Sequence, residues 1–94
     1  MAIMMIMKWE GVTTEQYDEL KRIVDWETNP AEGGRMHATA HDGSGLRITD
    51  VWESAEAFQT FVDDRLTPAV MQVGVPNQPD VEIYPLHDLY IAGA

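Results

Sequence analysis

The segment Arg35 to Trp52, RMHATAHDGSGLRITDVW, constrains the fold of this chain more than any other. Asp42-Gly43-Ser44-Gly45 is turn chemistry, because glycine tolerates positive φ and aspartate hydrogen-bonds its own backbone. The runs on either side predict two strands of a β-hairpin. A loop of two residues (Gly43-Ser44) or of four (Asp42 to Gly45) produces one register. His41 then faces Leu46, Thr39 faces Ile48 and His37 faces Asp50. Strand side chains alternate, so these six share one face, and Trp52 continues it. The opposite face carries Met36, Ala38, Ala40, Thr49 and Val51. It is small and mainly apolar, and is expected to lie under a helix. The first face mixes histidines, a threonine, a carboxylate and a tryptophan with aliphatics, and is expected to line a pocket.

The rest of the chain supplies partners for this hairpin. Ala2 to Trp9 is a short apolar run ended by Glu10-Gly11, and its length predicts a buried strand rather than a helix. Thr13-Thr14-Glu15-Gln16 opens a helix, with Thr13 and Gln16 spaced as a capping box. Tyr17, Leu20, Ile23, Val24 and Glu27 form its stripe, with Trp26 at the edge. Asn29-Pro30 is expected to end it. After the hairpin, Ser54 caps a second helix whose stripe is Phe58, Phe61, Val62 and Leu66. Thr67-Pro68 is expected to break that helix, with a short third one from Pro68 to Val73. Val81 to Ile91 reads as a last strand, and Pro85 inside it argues for an edge or a bulge. The order β-α-β-β-α-(short helix)-β is the split βαβ, ferredoxin-like pattern of the α+β class, an antiparallel sheet with helices on one face. The bare face is expected to carry tryptophan, methionine and isoleucine, and a second copy is its simplest cover.

Ninety-four residues are expected to form one domain, residues 1–94. A formal charge of −10 repels phosphate, which argues against nucleic acid and anionic membrane as partners. Cysteine is absent, which excludes disulfides and thiolate metal sites and fits a cytoplasmic protein. Met1 to Met7 lacks the basic start and the length of a secretion signal. No run approaches transmembrane length. No phosphate loop, nucleophile elbow or dinucleotide fingerprint occurs.

Candidate chemistry follows from the mixed face. A carboxylate at Asp50 would set the tautomer of His37 and support its protonated form, leaving the other nitrogen to take a substrate proton. The plainer alternative is a cross-strand pair that only satisfies itself, stabilising by roughly 0.2–1 kcal/mol. His41 lies ~13 Å along the strand from His37, too far for both to hold one metal, and is expected at the rim. Trp52, Trp9, Met5 and Met7 share the parity of a cavity wall, with Thr39 and Ile48 beside them; core packing is the competing role. No metal and no cofactor is expected.

The chain resembles the dimeric α+β barrel superfamily, and within it the antibiotic biosynthesis monooxygenase (ABM)-like branch. The specific likeness is Asp50-Val51-Trp52-Glu53-Ser54-Ala55-Glu56-Ala57-Phe58, a strand ending in tryptophan that runs into a capped helix as W-x-S-x-E-x-F. The Glu10-Gly11-Val12-Thr13 approach to the first helix is similar too. The resemblance implies a homodimer paired through its sheets, with a cavity in each subunit between sheet and helices. Members include cofactor-free oxygenases of phenolic polyketides, heme-degrading oxygenases, polyketide cyclases, lactone isomerases and proteins without known activity. Trp52 matches the cavity tryptophan of heme-degrading members. Their first-strand asparagine and second-helix histidine have no counterpart here. Cyclase-type members use a His and Tyr pair, for which Tyr84, His87 and Tyr90 are candidates without a residue-by-residue match. The combined expectation is a cofactor-independent, monooxygenase-like enzyme acting on a small apolar or aromatic molecule, with His37 as base and Asp50 as its partner. The alternatives are a cyclase or isomerase working by proton transfer, and a non-catalytic ligand-binding dimer. A ligand-sensing regulatory domain is a third.

Overall fold

The computed structural model describes residues 1–93. Strand β1 (Ile3–Glu10) is followed by helix α1 (Thr14–Val24), strands β2 (Gly34–His41) and β3 (Gly45–Trp52), and helix α2 (Ala55–Phe61). A π-helical turn (Val62–Leu66) joins α2 to α3 (Thr67–Val73), and β4 (Asp80–Pro85) comes last. The sheet order is β2-β3-β1-β4, every neighbouring pair antiparallel. This is the ferredoxin-like split βαβ arrangement read from the sequence.

The hairpin has the expected register: His41 opposite Leu46, Thr39 opposite Ile48 and His37 opposite Asp50. Its turn is tied by one side chain. Asp42 accepts hydrogen bonds from the Ser44 and Gly45 amides at 2.8 and 3.0 Å and from Arg47 Nε at 2.6 Å. The Ser44 amide first, then Arg47, hold the Asp42 carboxyl well below the usual carboxylate range. Gly45 is required for another reason. A Cβ there would lie 2.3 Å from the Trp9 carbonyl oxygen, because β1 passes directly alongside.

The helices cover the opposite sheet face from the one expected. Ile3, Met5, Met7 and Trp9 of β1 pair beside Trp52, Asp50, Ile48 and Leu46 of β3, and all eight are buried. Leu20, Val24 and Phe58 meet them from the helices, with Tyr17 and Phe61 partly buried against the same core. The reason is bulk. Two layers about 10 Å apart need large side chains between them, and the enclosed face holds Trp9 and Trp52 where the other holds Ala38, Ala40 and Thr49. The bare face therefore carries Met4, Ile6, Ala38, Ala40 and Thr49, and no tryptophan.

Three boundaries also move. The capping box forms as read, with Thr13 Oγ1 accepting from the Gln16 amide and Gln16 Oε1 accepting from the Thr13 amide. Helix α1 nevertheless ends at Val24, not at Asn29. Asp25 turns left-handed (φ 57°), which its short polar side chain tolerates. Arg65 then donates to the Val24 and Asn29 carbonyls at 2.7 and 2.6 Å and ties down the loop between them. Thr67-Pro68 does not break the second helix. The Thr67 amide reaches back five residues to Val62, absorbing the proline in a π turn. The last strand stops at Pro85 rather than Ile91, on the sheet edge where a residue without N–H is tolerated. Among the described residues, no helix is long and apolar enough to cross a membrane.

Candidate functional site

A cavity of about 230 Å³ opens between the sheet and the helices. Its floor is β1 and β3: Met5, Met7, Trp9, Ile48, Asp50 and Trp52. Tyr17 and Leu20 of α1 form one wall, Phe58, Phe61 and Leu66 another. The loop after α1 closes over it with Trp26, Pro30 and Ala31, and His37 stands at the β2 side. The lining is apolar apart from Arg35, which is half exposed and paired with Glu53 at 3.2 Å, and one polar end.

That end is a chain of hydrogen bonds. His37 Nδ1 lies 2.6 Å from Asp50 Oδ1, and the Trp52 indole N–H donates to Asp50 Oδ2 at 3.1 Å. Asp50 is only 5% exposed. A buried carboxylate is costly unless both oxygens are engaged, and here both are. The same geometry assigns the imidazole tautomer. A lone pair on Nδ1 would repel the carboxylate, so in the neutral ring Nδ1 carries the proton and Nε2 the lone pair. Tyr17 Oη lies 2.8 Å from Nε2, and Thr39 Oγ1 lies 2.9 Å from it. Trp26 meets the His37 ring edge-on, with centroids 4.9 Å apart, and Tyr17 lies 6.0 Å from Trp26. Burial pushes the Tyr17 phenol up from its ordinary value, so it holds its proton at neutral pH.

Of the residues singled out in the sequence, His37, Asp50, Trp52, Trp9, Met5, Met7 and Ile48 all meet at this cavity. Thr39 touches it only through His37. His41 is placed elsewhere. Its Nδ1 accepts from the Gly43 amide at 3.1 Å and its Nε2 lies 3.2 Å from the Val12 carbonyl, so both nitrogens serve the turn. It lines no part of the cavity. Tyr84 points along the bare face to Glu82 (2.6 Å), and His87 and Tyr90 are exposed beyond β4. None of these three reaches the cavity.

Two cavity residues that meet the His37 ring were not recognised in the sequence. Tyr17 reads there as one more member of an apolar stripe, and Trp26 as the edge of that stripe. A hydroxyl at the end of a stripe that must face His37 was the available signal for Tyr17. Trp26 had none, because the left-handed turn at Asp25 is what swings it inward. Among the described residues no three His, Asp or Glu side chains converge as metal ligands would.

No family model matches this chain, and no curated protein matches its sequence. Solved structures do match. One is a mutant of SnoaB, a cofactor-independent oxygenase from Streptomyces nogalater. It aligns with a TM-score of 0.68 and 10% identity over 94% of this chain and 95% of its own. Another is a protein from Chloroflexus aurantiacus J-10-fl, assigned by its name alone to the antibiotic biosynthesis monooxygenases. It aligns with a TM-score of 0.66 and 19% identity over 98% of this chain and all of its own. A third is a dimeric ferredoxin-like protein of unknown function from Thermobifida fusca YX, with a TM-score of 0.61 and 15% identity over 92% of both chains. At such identities the likeness shows the fold. The chain shares the ferredoxin-like α+β fold of these structures.

Proposed function

We propose that the chain is a cofactor-independent, monooxygenase-like enzyme that removes a proton from a compact, largely aromatic molecule. The observation that carries this reading is the 2.6 Å His37–Asp50 contact at the one polar end of an apolar cavity. The Trp9 and Trp52 indole N–H groups are already committed, to the Asn77 carbonyl and to Asp50. A ligand is therefore recognised by hydrogen bonding at the His37 end, with the Arg35 guanidinium also on the lining, and by apolar contact elsewhere. At about 230 Å³ the cavity lies below the usual range of about 300–1,000 Å³, which suits a few rings rather than a long chain.

In the reaction, a C–H bond flanked by electron-withdrawing groups gives its proton to the base. The electron pair stays on the substrate, and the imidazolium is stabilised by Asp50. The carbanion reduces dioxygen, the resulting peroxide is protonated, and loss of water leaves a ketone. A CH₂ group and O₂ thus become C=O and H₂O. The SnoaB structure, named a cofactor-independent oxygenase, supports oxygen as the co-reactant. Without oxygen the same base would serve cyclisation or isomerisation.

The test is conversion of an anthrone, a tricyclic phenolic carbon acid, to its anthraquinone under air and under argon. Turnover in air only is expected, and His37→Ala should lower it by about 100-fold or more. Unchanged turnover in His37→Ala would remove the base assignment. Turnover of a carbon acid under argon would favour isomerisation, and binding without turnover a ligand carrier. We also propose that a second copy covers the bare sheet face, where Ile6 is 39% exposed. A native mass spectrum showing only monomer would refute that.

A further inference from the structure

We propose that the Tyr17 hydroxyl, rather than the His37 ring, is the group that takes the proton from the substrate, with His37 and Asp50 receiving it in turn. This rests on the base reading of the same site. A neutral imidazole with its proton on Nδ1 offers a single lone pair, in the ring plane at Nε2. Tyr17 Oη occupies that direction at 2.8 Å, and Thr39 Oγ1 competes for it at 2.9 Å. A substrate approaching Nε2 directly must displace a hydroxyl from an α1 residue that is itself packed against Trp26. Tyr17 also lines the cavity. After donating to His37 and accepting from the Thr39 hydroxyl, its oxygen keeps one lone pair to take a proton.

The step balances as one concerted proton shift. The substrate C–H bond breaks and its electron pair stays on carbon. That proton bonds to Tyr17 Oη, while the original hydroxyl proton passes to His37 Nε2. The products are a substrate carbanion, a neutral tyrosine and an imidazolium facing the Asp50 carboxylate. A phenol kept neutral by burial suits this role, since it passes a proton without standing as an anion. The relay also extends the reach of His37, whose side chain is 32% exposed on the edge strand β2, to the α1 wall of the cavity.

The probe is nitrobenzisoxazole, an aromatic whose ring opens on removal of one carbon-bound proton, with cleavage of its N–O bond and no need for oxygen. Tyr17→Phe keeps the ring against Trp26 and removes only the hydroxyl. It is expected to lower kcat by about 100-fold while KM stays within a few fold, with an unchanged thermal midpoint. A second measurement uses the native protein. The abstracted proton does not exchange with solvent but the Tyr17 hydroxyl proton does. Relay transfer therefore slows in D₂O, whereas direct abstraction by His37 shows a solvent isotope effect near unity. If Tyr17→Phe keeps its kcat, or the isotope effect is near unity, while His37→Ala loses turnover, the relay is overturned and His37 acts alone. A raised KM with unchanged kcat would make Tyr17 a binding group only, and also overturns the relay. If His37→Ala retains turnover, or the native protein has none, the base reading fails and takes the relay with it.

Discussion

Replacing Asp50 with asparagine separates the two things its carboxylate does. In the native site its oxygens accept from His37 Nδ1 at 2.6 Å and from Trp52 Nε1 at 3.1 Å. An asparagine has one acceptor and one donor. Its oxygen can keep the Trp52 indole, which leaves the NH₂ facing His37. The imidazole can answer by moving its proton to Nε2 and accepting through Nδ1, so no buried group is orphaned. A charge-assisted bond of about 1.5–3 kcal/mol becomes a neutral one of about 0.5–1.5 kcal/mol. Relief from burying a charge offsets part of that, so the net loss should be about 1 kcal/mol. Turnover should fall far more, by about 100- to 10,000-fold, because Nε2 no longer has a lone pair for Tyr17. Asp50→Ala differs. It strands the Trp52 N–H in a side chain only 4% exposed, at about 1–3 kcal/mol, and leaves a small void as well. His37 can turn to solvent, so the total should be about 2–4 kcal/mol. For a domain of this size each kcal/mol lowers Tm by about 4–8 °C. Thermal denaturation gives the stability ranking, and imidazole ¹⁵N shifts report the tautomer. An asparagine variant that retains Nδ1–H and near-native turnover would refute the reasoning. So would an alanine variant as stable as asparagine.

The remaining predictions concern the hairpin. Gly45→Ala places a methyl 2.3 Å from the Trp9 carbonyl, against backbone that cannot yield; a loss of more than about 2 kcal/mol is expected in urea denaturation, and a neutral effect would contradict the β1–β3 packing. Asp42 is held ionised by the Ser44 amide and then Arg47. Its folded value is depressed, so its contribution is complete above the unfolded carboxylate range of about 3.9 and is lost as pH falls through the folded value. Acid titration of stability should therefore be flatter below about pH 4 in Asp42→Asn than in the native protein; parallel curves would mean the turn carboxylate is not linked to folding.

Much of this architecture was legible because it is locally encoded. The Asp42-Gly43-Ser44-Gly45 turn needs no partner to set its register, and that register alone puts His37 opposite Asp50. The capping pair Thr13 and Gln16 and the cap at Ser54 mark helix starts through contacts three residues away. The helix-covered face was misread because both faces of the hairpin are half apolar. The choice between them is made by the large β1 residues laid beside β3, a pairing of residues from Ile3 with Trp52 to Trp9 with Leu46 that are far apart in sequence. The same limit applies to the end of β4, where an edge strand stops when its single neighbour β1 runs out.

The amino-acid sequence by itself therefore determined the element order, the hairpin register and the histidine–carboxylate pair, since each depends on alternation, turn chemistry or capping within a few residues. Tertiary structure alone decided which sheet face is enclosed. It also decided that His41 serves a turn, and that Tyr17 and Trp26 close on His37 from the helix side. Those outcomes follow from where bulky side chains can be packed between two layers and from one left-handed residue, Asp25, that ends α1 early. Packing of that kind is a property of distant segments brought together.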